Sequence, residues 1–245
     1  MPNHRRQKIL SIAIETSGRV GSAALSKGPR VLETAVFSAH LRHAVELLPT
    51  MDRLCRGQGV APQRIEEAYV SAGPGSFTGL RIGLTVARTL AWCNAVRVVR
   101  VPTLDVVAQN ALELSDPPKD LVVLLDAKRG QVYAAAFRLE EDAYRRLGEP
   151  AEWELEALAA TLPAGCAALG EGIAYHRAAV DRAGLMCLGG PGELNRPRAE
   201  VVHRLGSAQA AAGQFDEVGS LVPTYVRRPE AEEVWERRHG QGTGR

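Results

Sequence analysis

The residues with the clearest chemical potential surround a glycine-rich turn at residues 73–79. Gly73 and Gly75 can adopt backbone angles that are closed to other residues. A serine or threonine just after such a turn can cap a helix by accepting a bond from a free backbone amide. A strand, a glycine turn and a helix N-terminus together can bind an anion such as phosphate. The candidate phosphate loop consists of Gly73, Gly75, Ser76 and Thr78.

Two interpretations of this turn remain open. No Gly-Lys-Ser/Thr follows, so it is not a Walker loop, and the glycine spacing is one residue too long for the dinucleotide-binding fingerprint. The turn is therefore either an unusual phosphate cradle or a plain connection between a strand and a helix.

The helix predicted after this turn, residues 77–92, has an unusually wide apolar surface. On a helical wheel its very small side chains form one stripe, which two leucines flank. The stripe consists of Gly79, Gly83, Ala87 and Ala91, with Leu80 and Leu84 beside it. The apolar arc covers about 200°, where a helix on one core usually shows little more than 100°. Either the helix is enclosed in its own domain, or it packs on its own sheet and on a second subunit.

Other residues with reactive side chains show no catalytic or metal-binding spacing. His40 and His43 lie three residues apart, but no third ligand follows at a suitable distance for a zinc site. The four cysteines are far apart, which predicts reduced thiols without a metal. Asp126 ends a predicted strand beside a cationic turn, where turn chemistry alone explains an aspartate. We expect no metal site and no catalytic thiol.

Composition places the chain among ordinary globular proteins. Its 245 residues suit one large domain or two small ones, with 45% hydrophobic and 24% charged residues. The net charge of +2 is too small to predict a nucleic-acid surface by itself. No apolar run approaches the ~20 residues of a membrane span, and the basic start lacks the apolar core of a signal peptide. These features predict a cytoplasmic protein that does not contact a membrane.

Hydrophobic patterning predicts two successive groups of strands and helices. The first group has strands at 9–14, 20–25, 31–37, 69–72 and 96–101, and helices at 41–56, 77–92 and 104–114. In the helix at 41–56, the apolar residues fall in one arc, and Pro49 predicts a kink or a helix start. After a break at 115–118, the second group has strands at 121–125, 131–137 and 167–170, and helices at 172–182 and 199–214. The side chains show no internal repeat strong enough to claim.

Five motifs give the chain a family resemblance. The most specific is A-G-P-G-S-F-T-G-L-R-I-G at 72–83. The others are I-E-T-S at 14–17, R-H at 42–43 with L-L-P at 47–49, D-A-K-R at 126–129 with V-Y at 132–133, and P-T-Y-V-R at 223–227. In this order and spacing they resemble the bacterial TsaB (YeaZ-like) proteins.

The resemblance implies an α/β fold of the actin and sugar-kinase (ASKHA) type, with two subdomains that are each a mixed sheet with helices. Applied to this chain, it predicts a first subdomain of residues 1–102 together with the returning segment 199–227. Residues 103–198 form the second predicted subdomain. Residues 228–245, which are charged and glycine-rich, are expected to be a disordered tail.

The resemblance also implies a function without catalysis. Members of the family are non-catalytic partners of TsaD, which transfers a threonylcarbamoyl group to adenosine 37 of certain transfer RNAs. We therefore expect a heterodimer with a TsaD-type subunit, a TsaE-type ATPase in the same assembly, a possible homodimer of the isolated chain, only indirect contact with transfer RNA, and no cofactor. The implied partner interface comprises His43, Leu47, Leu48, Met51, Gly79, Leu80, Arg81, Gly83, Leu84, Ala87 and Arg88.

An enzyme of the same superfamily is the alternative, either an ATP-dependent, kinase-like transferase or a metallopeptidase. TsaD-like proteins carry a His-x-x-x-His metal motif, and the pair His40 and His43 is one residue short of it. Related kinases place an aspartate after the first strand to handle magnesium and phosphate, whereas this chain has Glu15. Gln131 stands where similar proteins often have glutamate. These departures favour the non-catalytic interpretation.

Overall fold

The chain folds into two α/β halves, each built on one mixed β-sheet, in a computed structural model that describes residues 6–38, 42–188 and 192–226. The strands of the first sheet are β1 (Leu10–Glu15), β2 (Ser22–Lys27), β3 (Arg30–Val36), β4 (Glu67–Ser71) and β5 (Arg97–Val101). Those of the second are β6 (Asp120–Lys128), β7 (Gln131–Glu140), β8 (Ala143–Arg146), β9 (Ala151–Trp153), β10 (Ala167–Leu169) and β11 (Met186–Cys187). The helices are α1 (His43–Gly57), α2 (Phe77–Asn94), α3 (Thr103–Asn110), α4 (Leu155–Ala159), α5 (Gly172–Tyr175), α6 (Arg177–Arg182) and α7 (Ala199–Ala211).

The first sheet has the strand order β3-β2-β1-β4-β5. The first three strands pair antiparallel, and β4 and β5 are added in parallel. Ile12, Ala13 and Ile14 of the central strand β1 have no exposed surface, because helices cover both faces of this sheet. Helices α1 and α2 cover one face, and α7 covers the other.

The second sheet repeats this order as β11-β10-β6-β7-β8, with β9 also paired to β7. The antiparallel strands β6, β7 and β8 correspond to β1, β2 and β3, and the parallel strands β10 and β11 correspond to β4 and β5. The sequence analysis found no repeat because the two halves share topology rather than side chains.

The last helix of each half packs on the sheet of the other half. Helix α3 follows β5, yet Leu104 and Val107 are buried among the side chains of β6 and β7. Helix α7 follows the second sheet, yet Val201 and Val202 are buried against Tyr69 of the first. At the crossing, the buried Arg198 donates hydrogen bonds of 3.2 Å to Asn110 Oδ1. The two halves are thus tied together by exchanged helices.

The predicted fold class is confirmed. The secondary-structure elements that were missed or predicted with a wrong boundary lie mainly in the second half. The structure places β8, β9 and α4 between residues 139 and 164, where the sequence pattern predicted no regular element. The helix predicted at 172–182 is interrupted at His176, so α5 and α6 are separate.

Within the described part of the chain, none of the helices has the length and apolar character that a membrane span requires. The predicted disordered tail and His40 lie outside the described residues.

Candidate partner-binding surface and glycine turn

The glycine turn between β4 and α2 packs against the chain's own backbone. The Ser76 amide donates a 2.7 Å hydrogen bond to the Ser17 carbonyl, and Ser76 Oγ caps α2 by accepting from the Gly79 amide at 3.2 Å. A Cβ at Gly75 would lie 2.9 Å from the Cβ of Ser17, and one at Gly73 would lie 2.6 Å from the Thr224 carbonyl oxygen. Thr78 is exposed. These contacts account for the two turn glycines by packing, and phosphate binding by this loop stays a prediction.

Glu15, at the end of β1, is fully buried and its carboxylate is surrounded by donors. It accepts hydrogen bonds from the Ser17 amide at 2.6 Å, Ser17 Oγ at 2.5 Å, the Gly18 amide at 3.3 Å and Ser71 Oγ. Burial raises the pKa of the Glu15 carboxyl, while these hydrogen bonds oppose the shift. Because these donors belong to the chain itself, the carboxylate serves to fix the loop after β1.

Asp126 of β6 takes the place in the second sheet that Glu15 has in the first. It is partly exposed, and its Oδ1 lies 3.1 Å from His176 Nε2 and accepts from the Lys128 amide at 3.0 Å. A register shift follows Asp126, and Lys128 has a left-handed φ of 63°. Gln131 is half-buried at the start of β7. This carboxylate therefore supports a tight hairpin.

His43 begins α1 and points into the core rather than towards a metal. It is 2% exposed, its Nε2 lies 3.1 Å from the Gly18 carbonyl oxygen, and its ring centroid lies 5.8 Å from that of Phe37. Burial lowers the pKa of His43. Among the residues that the structure describes, no group of three or more His, Cys, Asp or Glu side chains could hold a metal ion.

The stripe of small residues on α2 faces the chain's own first sheet. A Cβ at Gly79 would overlap the Thr16 carbonyl oxygen, and one at Gly83 would overlap Thr16 Oγ1 and lie 3.3 Å from Val70 Cγ2. Thr16 Oγ1 also donates a 2.8 Å hydrogen bond to the Gly79 carbonyl. The close approach that these glycines permit is therefore used inside the subunit.

Most of the predicted interface residues are buried within this subunit. The eight buried members of the predicted set are His43, Leu47, Met51, Gly79, Leu80, Gly83, Leu84 and Ala87. The wide apolar arc of α2 faces both the first sheet and α1, since both helices contribute to one core cluster. A partner that docks on the folded subunit cannot reach these side chains, so any interface here is formed by their neighbours.

Those neighbours form an outward surface that we call the α1/α2 face, made of Val45, Leu48, Pro49, Ile82 and Val86. Val45 is 60% exposed and Leu48 is 57% exposed, although both are aliphatic. Pro49 is exposed, while Ile82 and Val86 are half-buried at the edge of the core. Of the predicted interface residues, Leu48 belongs to this face.

The two predicted interface arginines hold the C-terminal segment of the described chain. Arg81 Nε donates a 3.0 Å hydrogen bond to Tyr225 Oη, and its guanidinium lies 3.9 Å from the centre of the Phe77 ring. Arg88 donates a 2.6 Å hydrogen bond to the Leu221 carbonyl. The sequence analysis did not single out Phe77, although an aromatic residue at the start of a helix beside a polar face was visible in the sequence.

Comparisons with known proteins agree on the fold and the family. A family model described as "TsaD: tRNA N6-adenosine threonylcarbamoyltransferase" matches residues 37–169, more than half of the chain. The tRNA threonylcarbamoyladenosine biosynthesis protein TsaB of Bacillus subtilis is 30% identical over 230 residues, which cover 91% of this chain and 96% of that protein.

Two solved structures from Pseudomonas aeruginosa are similar in fold. One is YeaZ, with a TM-score of 0.75, and the other is described as an uncharacterized protein with similarity to peptidase YeaZ, with a TM-score of 0.78. Each is 27% identical to this chain and covers 89% of it, and the match spans 99% of YeaZ and 100% of the other protein.

Two mixed sheets with exchanged helices define the actin and sugar-kinase class of α/β proteins. Within that class, the match to Bacillus subtilis TsaB over nearly the full length of both proteins is decisive. The chain belongs to the TsaB (YeaZ-like) family of tRNA threonylcarbamoyladenosine biosynthesis proteins.

Proposed function

We propose that this chain is a non-catalytic subunit that binds a TsaD-type threonylcarbamoyltransferase through the α1/α2 face. In this role it supports formation of N6-threonylcarbamoyladenosine at position 37 of transfer RNA, in the cytoplasm. The observation that carries the proposal is the exposure of Val45 and Leu48 on a helix pair that is otherwise closely packed. Exposed aliphatic side chains beside each other are typical of protein interfaces.

The same surface supports two finer proposals about assembly. The α1/α2 face of the isolated chain can pair with a second copy of itself, because a two-fold interface uses the same patch on both subunits. The TsaD-type subunit then competes with the second copy for this face. A TsaE-type ATPase joins the heterodimer rather than the isolated chain.

The arrangement around the glycine turn supports the non-catalytic part of the proposal. Phosphoryl transfer needs charge stabilisation at the reacting phosphate, usually from a metal ion and cationic groups. Here the acidic residue at the end of β1, Glu15, is enclosed by Ser17, Ser71 and the Gly18 amide. We expect the purified chain to hydrolyse neither ATP nor peptides. If the purified chain hydrolyses ATP and the Glu15→Gln variant does not, the result would instead favour an ATP-dependent transferase.

The central experiment places a charge on the α1/α2 face. In Leu48→Glu, a carboxylate would be buried without a partner on docking, so we expect affinity for the TsaD homologue to fall by at least a hundredfold, or about 3 kcal/mol. The fold should be retained, because Leu48 is more than half exposed. Co-elution, circular dichroism and a threonylcarbamoylation assay measure binding, folding and function on the same sample.

Leu147→Glu is the matched control, since Leu147 in the second half is 51% exposed. It should bind and function as the unchanged protein does. If Leu48→Glu folds and binds with unchanged affinity, the α1/α2 face is not the interface. Gly83→Glu and Leu84→Arg cannot serve in this test, because both residues are buried and the charge would disrupt the core.

A further inference from the structure

A second exposed surface lies on α2, on a different side from the α1/α2 face. Phe77, Arg81, Arg88 and Trp92 follow one another at spacings of four, seven and four residues, which places them on one side of the helix. Tyr225 joins them, since its ring centroid lies 5.4 Å from that of Phe77. We call these five residues the aromatic edge.

The rings of the aromatic edge are open to solvent. Trp92 is 69% exposed, Phe77 41% and Tyr225 36%. Large aromatic side chains are usually buried in a folded chain, because they contribute much apolar area to a core. Three exposed rings side by side form an apolar patch of the kind that marks a binding surface.

Each ring on α2 has a guanidinium beside it. The Arg81 guanidinium carbon lies 3.9 Å from the centre of the Phe77 ring, and that of Arg88 lies 5.7 Å from the centre of the Trp92 ring. Helix α2 contains no aspartate or glutamate in its 18 residues. The aromatic edge thus combines aromatic rings with arginines, and α2 contributes no acidic side chain that would neutralise them.

This combination fits unpaired nucleotides better than another protein. Bases stack on aromatic rings and arginine planes, and the phosphates between them require positive charge. Phe77 and Trp92 lie about 22 Å apart along the helix, at 1.5 Å per residue, so the aromatic edge suits an extended strand rather than one compact side chain. An apolar protein partner would match continuous aliphatic area, which the α1/α2 face provides.

We infer that the aromatic edge of α2 directly contacts unpaired bases of the transfer RNA. The choice of RNA rests on the proposed function, and it differs from the expectation that this subunit meets transfer RNA only through its partner. Trp92 and Phe77 act as stacking platforms, the exposed Arg81 faces the adjacent phosphate, and the half-buried Arg88 adds positive charge beside Trp92.

The test is a fluorescence-anisotropy titration of the full chain with a labelled, unmodified transfer RNA transcript at several salt concentrations. We expect Trp92→Ala to weaken binding about tenfold through loss of one stacked base. Arg81→Gln should reduce the slope of log affinity against log salt by about 0.7, as expected for one phosphate contact on a single strand. An unpaired oligonucleotide should compete better than a duplex of equal length.

Tyr175→Ala is the matched control, because Tyr175 is 47% exposed and lies 5.4 Å from the Arg19 guanidinium outside the aromatic edge. It should leave the titration unchanged. The inference is overturned if Trp92→Ala binds as tightly as the unchanged chain, if Tyr175→Ala loses as much, or if a duplex competes equally. It is also overturned if Trp92→Ala weakens binding of the TsaD homologue alone, which would make the aromatic edge a protein interface.

Failure of this inference can be told apart from failure of the proposed function. The RNA titration uses the isolated chain, so it does not depend on the α1/α2 face. Leu48→Glu tests the partner and should leave the RNA titration unchanged. Trp92→Ala tests the RNA and should leave co-elution with the partner unchanged.

Discussion

The outer helices of the two halves differ in length and in what their exposed surfaces carry. On the first sheet, α1 and α2 have 15 and 18 residues, and aliphatic side chains such as Leu48 face outwards. On the second sheet, α4, α5 and α6 have five, four and six residues. Their outer side carries exposed ion pairs, Arg177 with Asp181 and Arg182 with Glu156.

This difference shows how one topology serves two purposes. Exposed ion pairs contribute little stability but keep a surface hydrated. Exposed aliphatic residues on long, well-packed helices offer a stable surface that a partner can cover. The first half is thus the one we assign to partners, and the second half supplies the sheet that completes the fold.

The acidic residues at equivalent strand ends differ in the same way. Glu15 is fully buried and accepts bonds from Ser17, Ser71 and the Gly18 amide. Asp126 is partly exposed and has His176 as its partner. The loop after β1 must be held rigidly, because α2 packs against Thr16 and the glycine turn packs against Ser17.

The largest loss of stability should come from disturbing the contact between α2 and the loop after β1. Gly83→Glu places a side chain against Thr16 and a charge in the core, so we expect the free energy of unfolding to fall by about 3–5 kcal/mol. Gly148→Glu in the second half is the control, since a Cβ there meets no atom within 4 Å. Urea denaturation measures both. If the two variants are equally stable, the close contact of α2 with the first sheet is wrong.

An intermediate effect should separate the two acidic residues. Glu15→Ala leaves buried donors of Ser17 and Ser71 without an acceptor, and we expect a loss of about 2–3 kcal/mol. Asp126→Ala removes a partly exposed acceptor that contacts His176 Nε2 and the Lys128 amide, and it should cost about 1 kcal/mol. Thermal and urea unfolding of both variants check the ranking, and a larger loss for Asp126→Ala would reverse the comparison.

The smallest effect concerns pH and the two histidines buried against the first sheet. Burial lowers the pKa of His43 and of His203 below the ordinary value of 6.5. As pH falls below about 6.5, the unfolded chain takes up protons that the folded chain does not, so stability decreases. The slope is at most about 1.4 kcal/mol per pH unit for each group.

The measurement compares urea unfolding between pH 7.5 and 5.5 for the unchanged chain and for the double variant His43→Gln, His203→Gln. The double variant is less stable at neutral pH, but its stability should change less with pH. An unchanged slope would show that neither ring is held in its neutral form.

Much of the fold followed from local patterns in the sequence. The alternating and continuous apolar runs predicted β1 to β5 to within two residues at each end. They also predicted where β6 and β7 begin, but missed the last three residues of each of these two strands. The helices α1 and α2 were predicted because apolar side chains recur at helical spacing over many turns. The short elements β8, β9, β11 and α4 were missed, since two to five residues carry too little periodicity to detect.

The sequence by itself determined that α2 would begin after a glycine turn, that very small residues would line one side of it, and that its apolar arc would be wide. Only the tertiary structure decided what each side touches. Gly79 and Gly83 admit Thr16 from the same chain, while Leu48 is left for solvent or a partner. The physical reason is that small and apolar side chains are buried favourably against many different surfaces. Which atoms they contact depends on segments that are distant in sequence.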